Sequence, residues 1–431
     1  MSEKYFPLDK TAIEELAKRY PTPFYLYDEK AIIGNVRKIK EAFSVFPSYK
    51  NYFAVKALPN PYILKLLANE GFGADCSSYT ELLLAEMAGT RREDIMLTSN
   101  ETPAGEYKAA REMGAVINLD DFSHIEFLEK NAGFPEVISL RYNPGPIKEG
   151  NAIIGKPQEA KYGFTREQII EGYSLLGKKR AASSFPKRFA LHTMVASNEL
   201  SVDYHIETAR LLFELASEVN SETGIRFEFI NLGGGVGIPY NLDQKAIDYN
   251  VLAEGVLRAY NEILVPAGLA PLGIRTEWGR IVTGPYGWLV ARAIHKKEIY
   301  RNYIALDACM ADLMRPALYN AYHHITIPGK ENLPLTEVYD VVGSLCENND
   351  KFAIQRKLPK IDVSSQGGAG DLVVIHDAGA HGRAMGFNYN GKLRCGELLL
   401  RQDGSVTLIR RPETADDYFA TLNVKGLEYF R

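Results

Sequence analysis

The sequence is poor in cysteine, contains no long apolar run and has no block of basic residues. Its four cysteines, Cys76, Cys309, Cys346 and Cys395, are too far apart for a metal knuckle and form no disulfide framework. No run of about 18 apolar residues occurs, and the first five residues contain no apolar signal core, so we expect neither a membrane span nor an export signal. The net charge of −4 gives no reason to expect nucleic acid or a membrane surface as a partner. We therefore expect a cytoplasmic, reduced protein without a metal site.

The length and composition predict more than one globular domain. The chain has 431 residues, of which 46% are apolar and 24% charged. These fractions are ordinary for a globular protein, and the length exceeds what a single hydrophobic core usually organises. Two domains are therefore the first expectation.

Short β-forming segments alternate with helical segments between residues 30 and 284. The predicted strands are Asn51–Val55, Gly73–Cys76, Ile95–Thr98, Val116–Leu119, Val137–Tyr142, Arg188–Thr193, Phe227–Leu232 and Ile274–Glu277. Eight such units over roughly 250 residues are typical of a (β/α)8 TIM-like barrel. An open, doubly wound sheet would show the same alternation, but polar residues at the strand ends favour the barrel.

After Gly284 the pattern changes to short strands divided by turns. The predicted strands are Trp288–Ile294, Tyr303–Leu306, Val338–Val342, Leu372–His376 and Val406–Ile409. This pattern predicts a second, mostly β domain of the sandwich or barrel-like kind, formed by residues 285–431 together with residues 1–29. The predicted fold class is α/β plus β.

A single lysine follows the first predicted barrel strand. In Tyr52–Ala57, aromatic and β-branched residues run into Lys56, and Pro59 and Pro61 then turn the chain. Barrels collect their reactive groups at such strand ends, and a desolvated amine is a candidate for forming a Schiff base. The alternative is a lysine whose ammonium reaches out to solvent.

Glycines follow the seventh predicted strand. Gly233, Gly234 and Gly235 begin the run Gly233–Gly237, and glycines allow backbone N–H groups to close around an anion such as phosphate. Barrels commonly hold phosphate near their last two strands. The alternative is a tight turn without a ligand.

Four further polar side chains lie at predicted strand ends. Glu277 and Arg280 follow the eighth strand, where the acid suits a protonated ring nitrogen and the guanidinium suits a phosphate or carboxylate. His192 ends the sixth strand, where a neutral imidazole suits the face of a flat ring, and Asp75 lies at the end of the second. The alternatives are a local ion pair, a structural histidine and a helix-capping aspartate.

The predicted β domain also carries reactive groups. Cys346 lies beside Glu347 and further polar residues, which suits a reactive thiol, although most cysteines are buried filler. Arg315 precedes a predicted helix, Pro316–Tyr322, and Tyr319 lies one turn along it on the same face. An amine, a phosphate-binding glycine turn and an acid for a ring nitrogen, all at strand ends of one barrel, fit pyridoxal phosphate.

These motifs follow one another in the order found in the pyridoxal-phosphate decarboxylases with an alanine-racemase-like barrel, which the chain resembles over nearly its whole length. The family's Y-A-x-K-A motif is similar to Phe53–Ala57, and its E-P-G-R motif to Glu277–Arg280. Lys161–Gly163 is similar to K-F-G, with Tyr162 for the phenylalanine. In the second domain, Arg315–Tyr319 matches R-P-x-L-Y, and Cys346–Asp350 resembles C-E-S-x-D.

The resemblance implies a fold-type III enzyme in which Lys56 forms the Schiff base and Cys346 is the second catalytic residue. The candidate cofactor-binding residues are Lys56, Asp75, His192, Ser197, Gly233, Gly234, Gly235, Glu277, Gly279, Arg280 and His381. The candidate substrate-binding residues are Arg280, Arg315, Tyr319, Glu347 and Tyr389.

The sequence departs from the family's motifs at three cofactor-side positions. The family's H-x-H-x-G-S falls on residues 192–197, so that Met194 replaces a histidine that stacks on the cofactor ring in the family. Trp278 replaces the proline of E-P-G-R, and His381 replaces the tyrosine of a G-A-Y motif.

Within this family the motifs are most similar to those of diaminopimelate decarboxylase. The resemblance implies decarboxylation of meso-2,6-diaminopimelate to L-lysine and CO2 in lysine biosynthesis. It also implies a homodimer with shared active sites, in which Cys346 and Glu347 reach into the partner's barrel. The alternatives are a related decarboxylase of D- or L-ornithine, lysine, arginine or a carboxylated polyamine, and a non-catalytic member of the family.

Overall fold

The computed structural model describes residues 4–148, 155–183 and 185–423. Within these ranges the chain divides into two units. Unit 1 comprises residues 30–285, and unit 2 combines residues 4–29 with the chain from residue 286 onward.

Unit 2 begins with α1 (Lys10–Arg19) and β1 (Phe24–Asp28), after which unit 1 alternates strands and helices. The elements that follow are α2 (Glu29–Ala42), β2 (Tyr49–Ala54), α3 (Pro61–Asn69), β3 (Gly73–Cys76), α4 (Tyr79–Met87), β4 (Ile95–Thr98), α5 (Ala104–Glu112), β5 (Val116–Leu119), α6 (Ser123–Asn131), β6 (Val137–Tyr142), α7 (Arg166–Ser183), β7 (Arg188–Thr193), α8 (Val202–Thr223), β8 (Phe227–Asn231), α9 (Tyr249–Ile263), β9 (Gly273–Thr276) and α10 (Arg280–Thr283).

Strands β2 to β9 form a closed, parallel barrel, in which β9 pairs with β2 through Asn51 and Thr276. The predicted barrel is therefore confirmed, and the alternative of an open sheet is wrong. Six of its strands contribute to a cluster of buried apolar side chains, namely Tyr52, Met96, Val116, Val137, Ala190 and Phe229. A Cβ on Gly73 would lie 2.5 Å from the Tyr52 ring, so this glycine makes room for the ring. Polar inward residues follow toward the carboxyl ends of the strands.

The remainder of unit 2 is mostly β. Its elements are β10 (Gly287–Glu298), β11 (Asn302–Leu306), α11 (Arg315–Tyr319), β12 (Ile325–Thr326), β13 (Glu337–Val342), β14 (Lys351–Leu358), β15 (Leu372–Ile375), β16 (Gly396–Leu400), β17 (Val406–Arg410) and α12 (Ala415–Phe419).

Strand β10 organises the nine-stranded sheet of unit 2. Its first half lies between β1 and β15, and its second half pairs with β11 beyond an irregularity at Ala293 and His295. A bend of this kind allows one strand to serve two parts of a sheet. Trp288, at the start of β10, is fully buried in the apolar cluster that α1 covers through Ile13 and Leu16.

No helix in the described ranges is both long and apolar enough to cross a membrane. The same ranges contain no cluster of three or more histidine, cysteine, aspartate or glutamate side chains that could hold a metal ion.

Candidate active site

The barrel brings most of the unit 1 candidates to the carboxyl ends of its strands. Lys56 lies in the 3-10 turn Val55–Ala57, directly after β2. Its side chain is exposed between buried Val55 and Ala57. The expectation of a desolvated amine is therefore wrong for this structure: the lysine reaches out from the strand end.

Glu277 follows β9 and is buried in a polar environment. Asn231 Nδ2 donates to its Oε1 at 2.8 Å, and His192 Nε2 lies 3.1 Å from its Oε2. Burial alone would raise the pKa of Glu277, but His192, Lys56 and Asn231 outweigh burial and leave the pKa below its ordinary value. The carboxylate therefore carries its negative charge at neutral pH.

The pKa of Asp75, at the end of β3, is shifted in the opposite direction. Burial raises the pKa of Asp75 well above its ordinary value, and the neighbouring charge of Glu277 raises it further, while Lys56 and Thr98 lower it only in part. Its Oδ1 is buried and has no hydrogen-bond partner in the described chain. The structure thus sets two acids with opposed pKa shifts near one amine, a pattern typical of functional sites.

His192 is fully buried at the end of β7, beside Glu277. Its Nε2 lies 3.1 Å from the Glu277 carboxylate, and the expectation that its imidazole faces a flat ring stays a prediction. Its Nδ1 is buried without a hydrogen-bond partner in the described residues. Through the Nε2 contact His192 helps to lower the pKa of Glu277.

The glycine turn after β8 requires glycine at each position. A Cβ on Gly233 would lie 2.0 Å from the Thr193 carbonyl oxygen, and one on Gly235 would lie 2.4 Å from that of Ala196. The φ angles of Gly233 and Gly235 are +69° and +93°, in the region that favours glycine. Glu277 N also donates to Gly233 O at 2.8 Å, so the acid and the turn are held together.

Arg280 is the first residue of α10 and is largely buried. Its Nη1 donates to the Tyr240 hydroxyl at 2.6 Å, and its Nη2 lies 3.5 Å from Ser197 Oγ. Between Glu277 and Arg280, a Cβ on Gly279 would lie 2.7 Å from that of Ala57. Gly279 therefore allows this turn to pack against the turn that carries Lys56.

The structure adds polar residues that sequence reasoning missed. Asn231 binds Glu277, and Asn51 binds the backbone N–H and carbonyl of Trp278. Arg141 pairs with Asp120 and donates to the carbonyl of Met194 at 3.2 Å. Their only signal in the sequence is a polar side chain within an otherwise apolar strand or at its end.

In unit 2, Cys346 lies in an exposed loop between β13 and β14. Asp350 shapes this loop, because its carboxylate accepts the N–H groups of Met310 at 2.6 Å and Leu345 at 2.7 Å. Burial raises the pKa of Asp350 to about 6 despite these bonds. Asn390 Nδ2 donates to the Cys346 carbonyl at 3.2 Å, which joins the loop to the segment of exposed Tyr389.

The other unit 2 candidates lie on two turns. Arg315 is buried at the start of α11, and Tyr319, one turn later, is about half exposed. Glu347 is half-buried next to Cys346, and His381 adopts a positive φ of +53° in the turn after β15.

A family model for pyridoxal-dependent decarboxylases, covering the pyridoxal-binding domain, matches residues 31–284. The chain belongs to the pyridoxal-dependent decarboxylase family. It is therefore a carboxy-lyase, and pyridoxal 5'-phosphate is its cofactor.

Two relatives span nearly the whole length of this decarboxylase. Protein TabA of Pseudomonas amygdali pv. tabaci is 42% identical over 429 residues, which are 100% of this chain and 97% of TabA. A diaminopimelate decarboxylase of Methanothermobacter thermautotrophicus is 32% identical over 413 residues, 95% of this chain and 94% of that protein.

Solved structures of diaminopimelate decarboxylases share the fold. The Helicobacter pylori enzyme complexed with L-lysine has a TM-score of 0.81 at 29% identity, covering 95% of this chain and 98% of that chain. The M. jannaschii enzyme in co-complex with L-lysine has a TM-score of 0.85 at 30% identity, covering 96% and 94%.

The side chains of the decarboxylase's barrel fit its cofactor. Asp75 Oδ1 and His192 Nδ1 are buried polar atoms without a partner in the described chain. The glycine turn packs so closely on neighbouring backbone carbonyls that any Cβ would clash, so it presents backbone without side chains, as suits a phosphate. The ionised Glu277 suits a protonated ring nitrogen.

Proposed function

We propose that the enzyme decarboxylates meso-2,6-diaminopimelate to L-lysine and CO2, a step of lysine biosynthesis. The observation that carries this proposal is the buried guanidinium of Arg315 one helical turn from Tyr319. Diaminopimelate keeps a carboxylate at the end that does not react, and an arginine fork is suited to bind it. A diamine precursor such as ornithine has no distal carboxylate to offer that guanidinium, so we expect it to bind more weakly.

In this proposal the barrel residues hold the cofactor and the reacting amino group. When bound, pyridoxal phosphate supplies an aldehyde for amines and a ring that withdraws electrons from the reacting carbon. The glycine turn, Ser197 and Arg280 would hold its phosphate, Glu277 would hold the proton of its ring nitrogen, and Lys56 Nζ would hold its aldehyde.

Residues of unit 2 supply recognition and a proton. Arg315 and Tyr319 bind the distal carboxylate, and Glu347 binds the distal ammonium. Cys346 Sγ–H donates its proton to the α-carbon that has lost CO2. We further propose a homodimer in which Cys346 and Glu347 complete the partner's barrel.

A second candidate is a related decarboxylase acting on ornithine, lysine, arginine or a carboxylated polyamine. Met194 favours it, because a thioether lies next to the glycine turn, 3.2 Å from Gly234 N, where the family has a ring-stacking histidine.

CO2 release from meso-diaminopimelate, compared with both hands of ornithine, lysine and arginine, tests the proposal. We expect kcat/KM for meso-diaminopimelate to exceed that for each of the others by at least about 100-fold. A preference for a substrate without a distal carboxylate would establish the second candidate instead.

The role of Lys56 is tested separately. Lys56→Ala should abolish the visible absorbance of covalently bound cofactor and lower kcat by at least about 10³-fold. Lys50→Ala is the matched control, because Lys50 lies on β2, the strand that precedes Lys56, in a surface ion pair with Asp94, and such pairs contribute little. A yellow, fully active Lys56→Ala enzyme would refute the assignment.

A further inference from the structure

His323 is a fully buried histidine of unit 2 that the proposed mechanism does not use. It follows α11 by four residues and lies between two groups of opposite hydrogen-bonding character. Arg315 Nε lies 3.4 Å from its Nε2, and the His376 carbonyl oxygen lies 2.8 Å from its Nδ1.

These two neighbours determine where the imidazole carries its proton. An arginine Nε–H can only donate, and a carbonyl oxygen can only accept. His323 Nε2 is therefore the unprotonated acceptor, and Nδ1 carries the hydrogen that it donates to His376 O. The ring is thus neutral, since a protonated Nε2 would direct an N–H at the guanidinium.

The surroundings of His323 hold the ring in place. Arg356 Nη1 donates to the His323 carbonyl at 3.0 Å, and its guanidinium lies 4.0 Å above the Tyr322 ring. His376, which accepts from His323, is itself fixed by Trp288 Nε1 at 3.2 Å and by Thr326 Oγ1 at 2.8 Å. The β12–β15 pairing runs directly alongside. The acceptor offered to Arg315 is therefore rigid.

We propose that His323 is a positioning residue for substrate recognition, which orients Arg315 through its Nε so that the guanidinium grips a carboxylate end-on through Nη1 and Nη2. The ligand class is an amino acid whose non-reacting end carries an α-ammonium and an α-carboxylate, as in meso-diaminopimelate and in its product L-lysine. This inference rests on the proposed role of Arg315.

The experiment compares holoenzyme variants for KM and kcat with meso-diaminopimelate, and for the Kd of L-lysine and of 1,5-diaminopentane, which has no carboxylate. His323→Leu should raise KM and the L-lysine Kd on the order of tenfold, with kcat and the diamine Kd within about threefold. His323→Gln, which keeps a donor and an acceptor, should recover most of the loss. His324→Gln, at the adjacent position and in contact with His376 rather than Arg315, should match the wild type.

A second readout does not depend on turnover. Nitrogen-15 NMR of the histidine rings should show the proton of His323 on Nδ1, and a proton on Nε2 would overturn the inference. If Arg315→Gln weakens L-lysine binding and His323→Leu does not, the inference fails while the role of Arg315 stands. If Arg315→Gln changes neither KM nor Kd, both fail. If the wild type releases no CO2 from meso-diaminopimelate, the proposed function fails, and the ring proton and L-lysine binding still decide the role of His323.

Discussion

Asp75 is held in the barrel at an energetic cost. Its carboxyl group is almost fully buried beside Glu277, and one of its oxygens has no hydrogen-bond partner in the described residues. Burial and the neighbouring acid both raise its pKa. Since an Asp whose folded pKa is raised binds protons more tightly in the native state, it lowers stability as pH rises above its ordinary pKa.

We expect Asp75→Asn to stabilise the cofactor-free enzyme and to impair catalysis. At pH 7.5 the amide avoids burying a charge, and the free energy of unfolding should rise on the order of 1 kcal/mol. The gain should shrink toward pH 4, where the unfolded aspartate also takes up a proton. Urea unfolding at the two pH values measures this, with Asp94→Asn, an exposed partner of Lys50, as the control. A loss of stability at pH 7.5 would contradict it.

At the scale of elements, the turn between β9 and α10 is tied to β2 by one amide. Asn51 Oδ1 accepts from Trp278 N and from Thr276 Oγ1, each at 2.8 Å, and its Nδ2 donates to Trp278 O at 3.2 Å. Glu277 lies on this turn, Arg280 follows it as the first residue of α10, and Lys56 follows the strand of Asn51. One side chain therefore fixes the acid and the guanidinium relative to the lysine.

Asn51→Ala should destabilise the enzyme and weaken cofactor binding together. Three buried hydrogen bonds are lost, so we expect a decrease on the order of 3 kcal/mol in the free energy of unfolding and a rise on the order of tenfold in the cofactor Kd. Denaturant titration and cofactor absorbance measure the two effects. Asn131→Ala removes only an exposed bond within α6 and should change neither. Unchanged cofactor affinity in Asn51→Ala would show that the turn between β9 and α10 keeps its conformation without the Asn51 side chain.

Some elements were predicted closely and others missed, for a physical reason. Barrel strands such as Val116–Leu119 and Val137–Tyr142 are fully buried. Parallel strands that are covered on both faces appear in the sequence as short apolar runs, which makes them easy to predict. Strand β14 was missed because Lys351, Gln355 and Lys357 interrupt its apolar residues. The predicted helix Pro316–Tyr322 ends earlier, because Asn320 adopts a left-handed conformation with a φ of +51°.

At the scale of the whole molecule, the proposed homodimer makes a prediction about mixed subunits. Inactive Lys56→Ala and Cys346→Ala enzymes, dissociated and reassociated in equal amounts, should regain about one quarter of wild-type activity, since half of the dimers are mixed and one of their two sites is intact. Lys56→Ala mixed with the double variant should regain none. No recovery in the first mixture would show that each site uses a single chain.

The stability of unit 2 should also depend on pH through His376. Burial, with help from His324 and Lys4, lowers the pKa of His376 to about 3. Below pH 6.5 His376 binds a proton in the unfolded state but not in the native state, so stability is lost as pH falls. Asp350 and Asp377, with each pKa raised to about 6, act in the opposite sense above pH 4.

Comparing His376→Gln with the wild type isolates the contribution of His376, because Asp350 and Asp377 contribute equally to the pH dependence of both proteins. Between pH 7.5 and pH 5, the unfolding free energy of His376→Gln should change relative to wild type by about 2 kcal/mol in the variant's favour. Trp288 fluorescence in a Trp278→Phe background reports on unit 2, and exposed His295→Gln should show no such change. A parallel pH dependence of His376→Gln and wild type would contradict the buried, neutral histidine.

The sequence by itself determined the barrel, the family and the identity of the chemical groups, because strand periodicity, glycine turns and reactive side chains are local properties of the chain. Only the tertiary structure decided their partners. His192 and Glu277, 85 residues apart, meet because the barrel closes and aligns the ends of distant strands. Arg315 and His323 meet because the β12–β15 pairing fixes the segment after α11. Hydrogen-bond partners and pKa shifts depend on burial and on contacts across the chain, and no local pattern contains either.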